Sequence, residues 1–216
     1  MTRSWVPTLK PIVSGSPIHA SISPTALARI ACALEMWVGD GARHVDLPWV
    51  APDQFVQASR PSDSFGQDVS TPHGQLLTSG EQSFCWLASQ GLLDDGGPFV
   101  GWTPCFRDEE RFDATHHYGF MKAEAFAWAD DTSLVLQVRG FASRALGVMR
   151  LLAGVGTPIH MKPLEDGTVD LELGGVEVGS IGARRLPGCE SGRTYLYATV
   201  MAEPRFSQAL ALARPS

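Results

Sequence analysis

"GPFVGWTPCFRDEERFDATHHYGFMKAEAF", residues 97–126, sets two apolar, aromatic-rich runs around a densely charged centre. That centre holds Arg107, Asp108, Glu109, Glu110, Arg111, Asp113, His116 and His117, in a chain whose charged fraction is only 19%. The flanking runs read as two strands, roughly 98–107 and 118–129, joined by a long charged loop. A hairpin tip charged for solubility is one explanation of the centre. A loop that handles a charged ligand is the other.

The surrounding chain narrows the choice. Its 216 residues suffice for one substantial domain with a real core. A hydrophobic content of 44% and a near-zero mean hydropathy are those of an ordinary globular protein. The formal net charge of −6 gives no global positive field for nucleic acid, and no Lys/Arg run is long enough to form a local one. The cysteines at 32, 85, 105 and 189 have no C-x-x-C spacing, so no zinc knuckle or redox motif is readable. Cys32, Cys85 and Cys105 lie in apolar runs and are expected to be reduced, buried thiols. Residues 1–20 are rich in Pro, Ser and Gly and read as an irregular arm, followed by one domain over 21–216. The arm lacks the apolar segment of a secretory leader, and no run approaches a membrane span. A cytoplasmic protein without membrane association is expected.

Helical spacing begins at "SISPTALARIACALEMWVGDG", with Ser23 as N-cap, Pro24 in the first turn and Gly39 and Gly41 as the stop. "ARHVDLPWVAP" alternates as a strand that Pro48 confines to an edge or an unusual pairing. Residues 51–72 are expected to be loop. "GQLLTSGEQSFCWLASQGLL" reads as a short strand turning at Ser79-Gly80 into a helix. Leu134, Val138, Phe141, Ala145, Val148 and Leu152 recur at helical spacing. "GTVDLELGGVEVGSIGARR" reads as a hairpin with a Gly-Gly turn, "RTYLYATV" as a strand and "EPRFSQALALA" as a terminal helix. Hairpins separated by helices indicate an α+β fold with a mainly antiparallel sheet flanked by helices.

Helix then strand ending in proline, then "FRDEE…H…F…E", then a strand-to-helix element containing an arginine, resembles the three signature motifs of class II aminoacyl-tRNA synthetase catalytic cores. The order and approximate spacing agree over residues 23–213, with the aspartyl/asparaginyl/lysyl subgroup nearest. The resemblance implies that Arg107 binds the α-phosphate of ATP and the substrate carboxylate. It implies that His116 or His117 contacts the terminal phosphates and that Phe120 stacks on adenine. Glu109 would accept hydrogen bonds from the adenine side or orient Arg107. The chemistry suits these residue types, because carboxylate attack on the α-phosphorus brings together two anions that cations must shield. Arginine offers a planar fork for both.

"TSGEQSF" resembles the family segment whose acidic or amide residue binds the substrate α-amino group, which places Glu81 there. A capping glutamate in a first helical turn is the alternative. Glu177 and Arg184, seven positions apart, resemble the aspartyl-type pair that binds Mg²⁺ with ATP phosphates and the substrate's side-chain carboxylate, respectively. An exposed hairpin glutamate and a solvated arginine are the alternatives. Glu124 is assigned to the substrate or to Mg²⁺ and ATP. Arg205 would sandwich adenine against Phe120.

Three departures accompany the likeness. Ala198, Val200 and Ala202 stand where the family has glycines that let the backbone approach ATP. Phe84 stands where aspartyl enzymes carry a lysine. At this length no anticodon-binding domain is expected, and stand-alone cores of this kind serve other acceptors or regulatory roles. The function implied is ATP-dependent amino-acid activation through an aminoacyl-adenylate, with transfer to an unidentified, non-canonical acceptor, tRNA not excluded. A catalytically impaired paralogue that binds an amino acid or nucleotide is the alternative. A small acidic or amide amino acid, ATP and Mg are the implied ligands. A homodimer through the 24–39 helix and the strand ending at Pro48, with Trp37 and Trp49 at its interface, is the implied assembly.

Overall fold

The computed structural model describes residues 22–59, 70–94, 97–107, 116–154, 156–188 and 192–213. Glu109, Cys189 and the 1–20 arm lie outside them. The chain runs α1 (Pro24–Gly39), β1 (Arg43–His44), β2 (Val50–Ala51), α2 (Asp53–Ala58), β3 (Ser70–Thr71), β4 (Gly74–Leu76) and α3 (Glu81–Ser89). It continues with β5 (Phe99–Phe106), β6 (Gly119–Trp128), a 3₁₀ turn at Asp131–Ser133, α4 (Leu134–Ala153), β7 (Ile159–Pro163), β8 (Val169–Leu173), β9 (Val176–Arg185), β10 (Thr194–Glu203) and α5 (Arg205–Ala213).

Among the described residues, seven strands form one sheet in the order β1-β5-β6-β10-β9-β8-β7. All neighbours are antiparallel except β1 and β5. The expected α+β architecture is therefore present. The 97–126 stretch forms the β5–β6 hairpin, with Cys105 opposite Phe120 and Thr103 opposite Lys122. Gly174 and Gly175, both at positive φ, close the β8–β9 turn. A separate small sheet, β2-β4-β3, lies beside the large one in sequence order.

Strand alternation divides the core into two layers. Ala123, Ala125, Leu196, Ala198, Val200 and Met201 pack with Ile30 and Trp37 of α1, Ala145 and Met149 of α4, and Phe206 of α5. On the opposite face Phe126, Tyr195 and Tyr197 pack with Phe84, Cys85 and Ala88 of α3. Phe84 stacks on Phe126 at 5.6 Å, and Phe126 on Tyr195 at 5.1 Å. Phe84, at the position of the aspartyl lysine, is therefore a core residue. The start of α1 follows its sequence signals, since Ser23 Oγ accepts the Ala26 N–H at 3.1 Å and Pro24 opens the helix.

Several local expectations are corrected. Residues 51–72 are not all loop, because α2 and β3 fall within them and Phe55 and Val56 are buried. The expected strand at 42–52 is split into β1 in the large sheet and β2 in the small one, and between them the Pro48 carbonyl accepts from Ser83 Oγ. β7, unassigned from sequence, adds an edge. Trp37 is wholly buried, edge-on to Phe141 at 5.4 Å and under the Arg144 guanidinium at 4.1 Å. It belongs to the protomer's own core and cannot serve an interface. Trp49 is 55% exposed. No described helix is long and apolar enough to cross a membrane.

Cys32 is exposed rather than buried, whereas Cys85 and Cys105 are enclosed. Burial, reinforced by the Glu124 charge, pushes the Cys105 thiol up to about 11, and burial raises Cys85 as well. Thiolates being the reactive form, alkylation of the native protein at neutral pH should label Cys32 and spare Cys85 and Cys105. Peptide mass mapping before and after denaturation checks this. Native labelling of Cys105 would contradict the packing of β5.

Candidate functional site

The helix α3 starts without a side-chain cap of its own. Gly80 precedes it, and the missing acceptor comes from β6, where Glu124 Oε2 takes the Glu81 N–H at 3.0 Å. Glu124 Oε1 accepts Ser79 Oγ at 2.7 Å and lies 2.5 Å from Lys122 Nζ. From the other side Gln82 Oε1 accepts the Thr78 N–H at 2.9 Å, while its Nε2 donates to Thr78 Oγ1 at 2.7 Å and the Val56 carbonyl at 3.2 Å. The 78–81 turn is thus held by two buried polar side chains. Glycine suits its centre, because a Cβ on Gly80 would come within 2.8 Å of Glu124 Oε2 and displace that carboxylate.

Fixing the turn places Glu81, which is 5% exposed. Arg184 Nη1 donates to its two oxygens at 3.0 and 2.8 Å, and Tyr195 Oη to Oε1 at 2.7 Å. Burial raises the Glu81 carboxyl above its ordinary value, and the Arg184 cation and the Tyr195 hydroxyl pull it the other way. Register brings these groups together, since Arg184 on β9 lies opposite Tyr195 on β10 and Gly182 opposite Tyr197. A Cβ on Gly182 would meet the Tyr197 hydroxyl at 2.6 Å, so the ring lies flat over that glycine. Arg184 in turn sits 4.4 Å from the Tyr197 ring centroid.

Above this floor a cleft of about 210 Å³ opens beside β6, β9 and β10. Arg107, Phe120, Glu81, Glu177, Arg184 and Arg205 border it. Arg107 donates from Nε to the Thr78 carbonyl at 3.0 Å, and its guanidinium lies 5.2 Å from the Phe120 ring centroid. Glu177 is exposed on the cleft wall. His117, which contacts Gln208 Oε1 at 2.9 Å, borders the cleft, whereas His116 is not among the lining residues. Glu124 lies beneath the lining, 2% exposed, and Glu109 is outside the described residues.

Sequence reading missed Lys122, Gln82, Tyr195 and Tyr197. The signal available was alternation, because Phe120, Lys122 and Glu124 share one face of β6 while Ala123 and Ala125 face the helix-side core. A bulge between Thr199 and Met201 splits the three positions of the third motif between the two faces. Ala198 and Val200 pack wholly buried under the helices, and only Ala202 borders the cleft. The bulk expected to obstruct a nucleotide is reduced to one methyl group.

No protein-family model and no curated protein matches the chain. Among solved structures it is similar to seryl-tRNA synthetase from Pyrococcus horikoshii complexed with ATP, at TM-score 0.69 and 18% identity, over 85% of this chain and 49% of that one. It is similar to cytoplasmic serine-tRNA ligase from Naegleria fowleri in complex with AMP, at TM-score 0.65 and 14% identity, over 88% and 55%. Pyrrolysyl-tRNA synthetase from Desulfitobacterium hafniense gives TM-score 0.62 and 15% identity, over 88% and 73%. The chain spans about half the length of the two seryl enzymes. The fold is that of a class II aminoacyl-tRNA synthetase catalytic core.

The clamp on the 78–81 turn has a direct test in Gly80→Ala. Gly80 has φ −65°, which any residue adopts, so the penalty is steric alone. A loss of about 1–3 kcal/mol in urea unfolding is expected, the range for overpacking. Unchanged stability would mean that Glu124 does not grip the turn as described.

Proposed function

We propose that the chain activates an amino acid with ATP. The observation that carries this reading is the convergence of Arg107, Phe120, Glu81, Glu177, Arg184 and Arg205, drawn from separate stretches of sequence, on one cleft. The fold it shares with the two seryl enzymes solved with ATP and AMP supports the same reading.

In this proposal an oxygen of the amino-acid carboxylate attacks the α-phosphorus of ATP. The bond to the bridging oxygen breaks, pyrophosphate leaves, and a mixed anhydride with AMP remains. No side chain need remove a proton, because the carboxylate is already the nucleophile. The protein contributes orientation and charge. Arg107 bridges carboxylate and α-phosphate, braced by the Thr78 carbonyl and the Phe120 ring. Phe120 and Arg205 bracket adenine, with His116 or His117 toward the outer phosphates. No group of three His, Cys, Asp or Glu side chains forms a metal cage among the described residues. Glu177 suits Mg²⁺ carried in on ATP phosphates, which needs only one or two protein carboxylates.

The amino-acid subsite is lined by the Glu81–Arg184 pair, and a small acidic or amide amino acid is the proposed substrate. Arg184 already has a carboxylate partner, so a substrate carboxylate shares it with Glu81, and the α-ammonium shares Glu81 with Arg184. The activated group passes to an acceptor other than, or in addition to, tRNA. Assembly as a cytoplasmic homodimer through α1 completes the proposal, with Leu27, Val38 and Trp49 as the exposed apolar contributors in place of Trp37.

Amino-acid-dependent ATP–pyrophosphate exchange across all twenty amino acids tests the reading. Exchange with aspartate or asparagine is expected, falling by about 100-fold or more in Arg107→Ala with the circular dichroism spectrum unchanged. Absence of exchange with any amino acid, together with no ATP binding by calorimetry, would leave the binding paralogue as the better account. For the dimer, light scattering should give twice the protomer mass, and a monomer at tens of micromolar contradicts it.

A further inference from the structure

The cleft contains a cation that the synthetase-like motifs do not use. Lys122 stands on β6 between Phe120 and Glu124, on the cleft face of the strand, and borders the cleft with only 14% of its side chain exposed. A lysine serving solubility extends its ammonium into water. This one is turned inward, with Nζ 2.5 Å from Glu124 Oε1 and 3.3 Å from Ser79 Oγ. Holding it there costs side-chain entropy and hydration, which the Glu124 charge offsets.

Two relations give the ammonium a purpose beyond neutralising Glu124. An ammonium carries three protons, and these two contacts account for two of them. Arg107, the other cation on this wall, is anchored on the Thr78 carbonyl, while Lys122 is anchored on Ser79. Consecutive residues of one clamped turn therefore each hold a cation that borders the cleft. Such a pair matches a carboxylate that must approach a phosphate without being repelled.

We propose that Lys122 is a second ligand-binding cation, whose ammonium, oriented by Glu124 and Ser79, contacts the carboxylate of the bound amino acid next to Arg107. The assignment rests on reading the cleft as an amino-acid site. Glu124 is then a positioning residue for Lys122 as well as the cap of α3. Its removal acts on the ligand through the lysine.

The test compares wild type, Lys122→Met, Glu124→Gln and the double variant, each checked for folding by circular dichroism. Thermal shift with the twenty amino acids selects a probe, and calorimetry measures that amino acid and ATP separately. Lys122→Met should weaken the amino acid by about 10- to 100-fold, the scale of a lost charge-assisted contact. The same substitution made in the Glu124→Gln background should weaken it further, by a smaller factor, because the lysine there has lost the carboxylate that orients it. That background also protects against misfolding, since it removes the stranded buried carboxylate. If Lys122 only neutralises Glu124, the second comparison shows no change, and the assignment is overturned. A variant that weakens ATP and leaves the amino acid untouched overturns it too. Wild type that binds the amino acid in a Lys122-dependent manner but no ATP upholds the assignment and defeats the adenylation reading. Wild type that binds none of the twenty amino acids defeats the assignment.

Discussion

The Glu124 carboxylate is the contact on which the cleft depends. It is almost fully enclosed on the central hairpin, and burying an ionised group is tolerable only with charge-assisted partners on its oxygens. The Ser79 hydroxyl, the Glu81 N–H and the Lys122 ammonium supply them. In consequence the turn before α3 is drawn against the sheet, the helix begins at Glu81, and any residue larger than Gly80 presses on the carboxylate. Glu81 then faces Arg184 across the floor, and Arg107 finds the Thr78 carbonyl in reach. One buried charge thus orders an acid and two cations that come from other elements.

A second regularity follows. Each acid buried beneath the cleft is matched by an internal cation, Glu81 by Arg184 and Glu124 by Lys122. Neither acid is a bare receptor for a ligand ammonium. A ligand enters by sharing these pairs, which favours a zwitterion, whose two charges can be exchanged for contacts of either sign. Arg184 finds its charge partner within the protein, in Glu81. That places substrate choice on how the Glu81–Arg184 pair rearranges rather than on a vacant charge.

Elements with strong local signals were readable from sequence. The β5–β6 hairpin, α1 with its Ser23–Pro24 start and the Gly174–Gly175 turn follow from alternation, capping and turn chemistry acting within a few residues. Glu177 and Arg184, named by the family resemblance, both border the cleft, although seven positions of strict alternation would set them on opposite faces; an irregular register between β8 and β9 intervenes. What was not readable depends on partners far away in sequence. Trp37 has the same helical spacing whether it meets Phe141 or another subunit, and only the packing of α4 decides. Phe84 turns from α3 into the core against Phe126 on β6. The bulge between Thr199 and Met201 sends Met201 into the helix-side core and brings Ala202 to the cleft, a shift that no local pattern signals. Lys122 went unread because its meaning comes from Ser79, 43 positions earlier.

The central claim is that this cleft holds a nucleotide and an amino acid together. A crystal structure with ATP and a non-reactive amino-acid analogue tests it most directly. The account predicts adenine between Phe120 and Arg205, the α-phosphate on Arg107, and the amino-acid carboxylate between Arg107 and Lys122. A nucleotide bound elsewhere, or an analogue seated away from the Glu81–Arg184 pair, would contradict it.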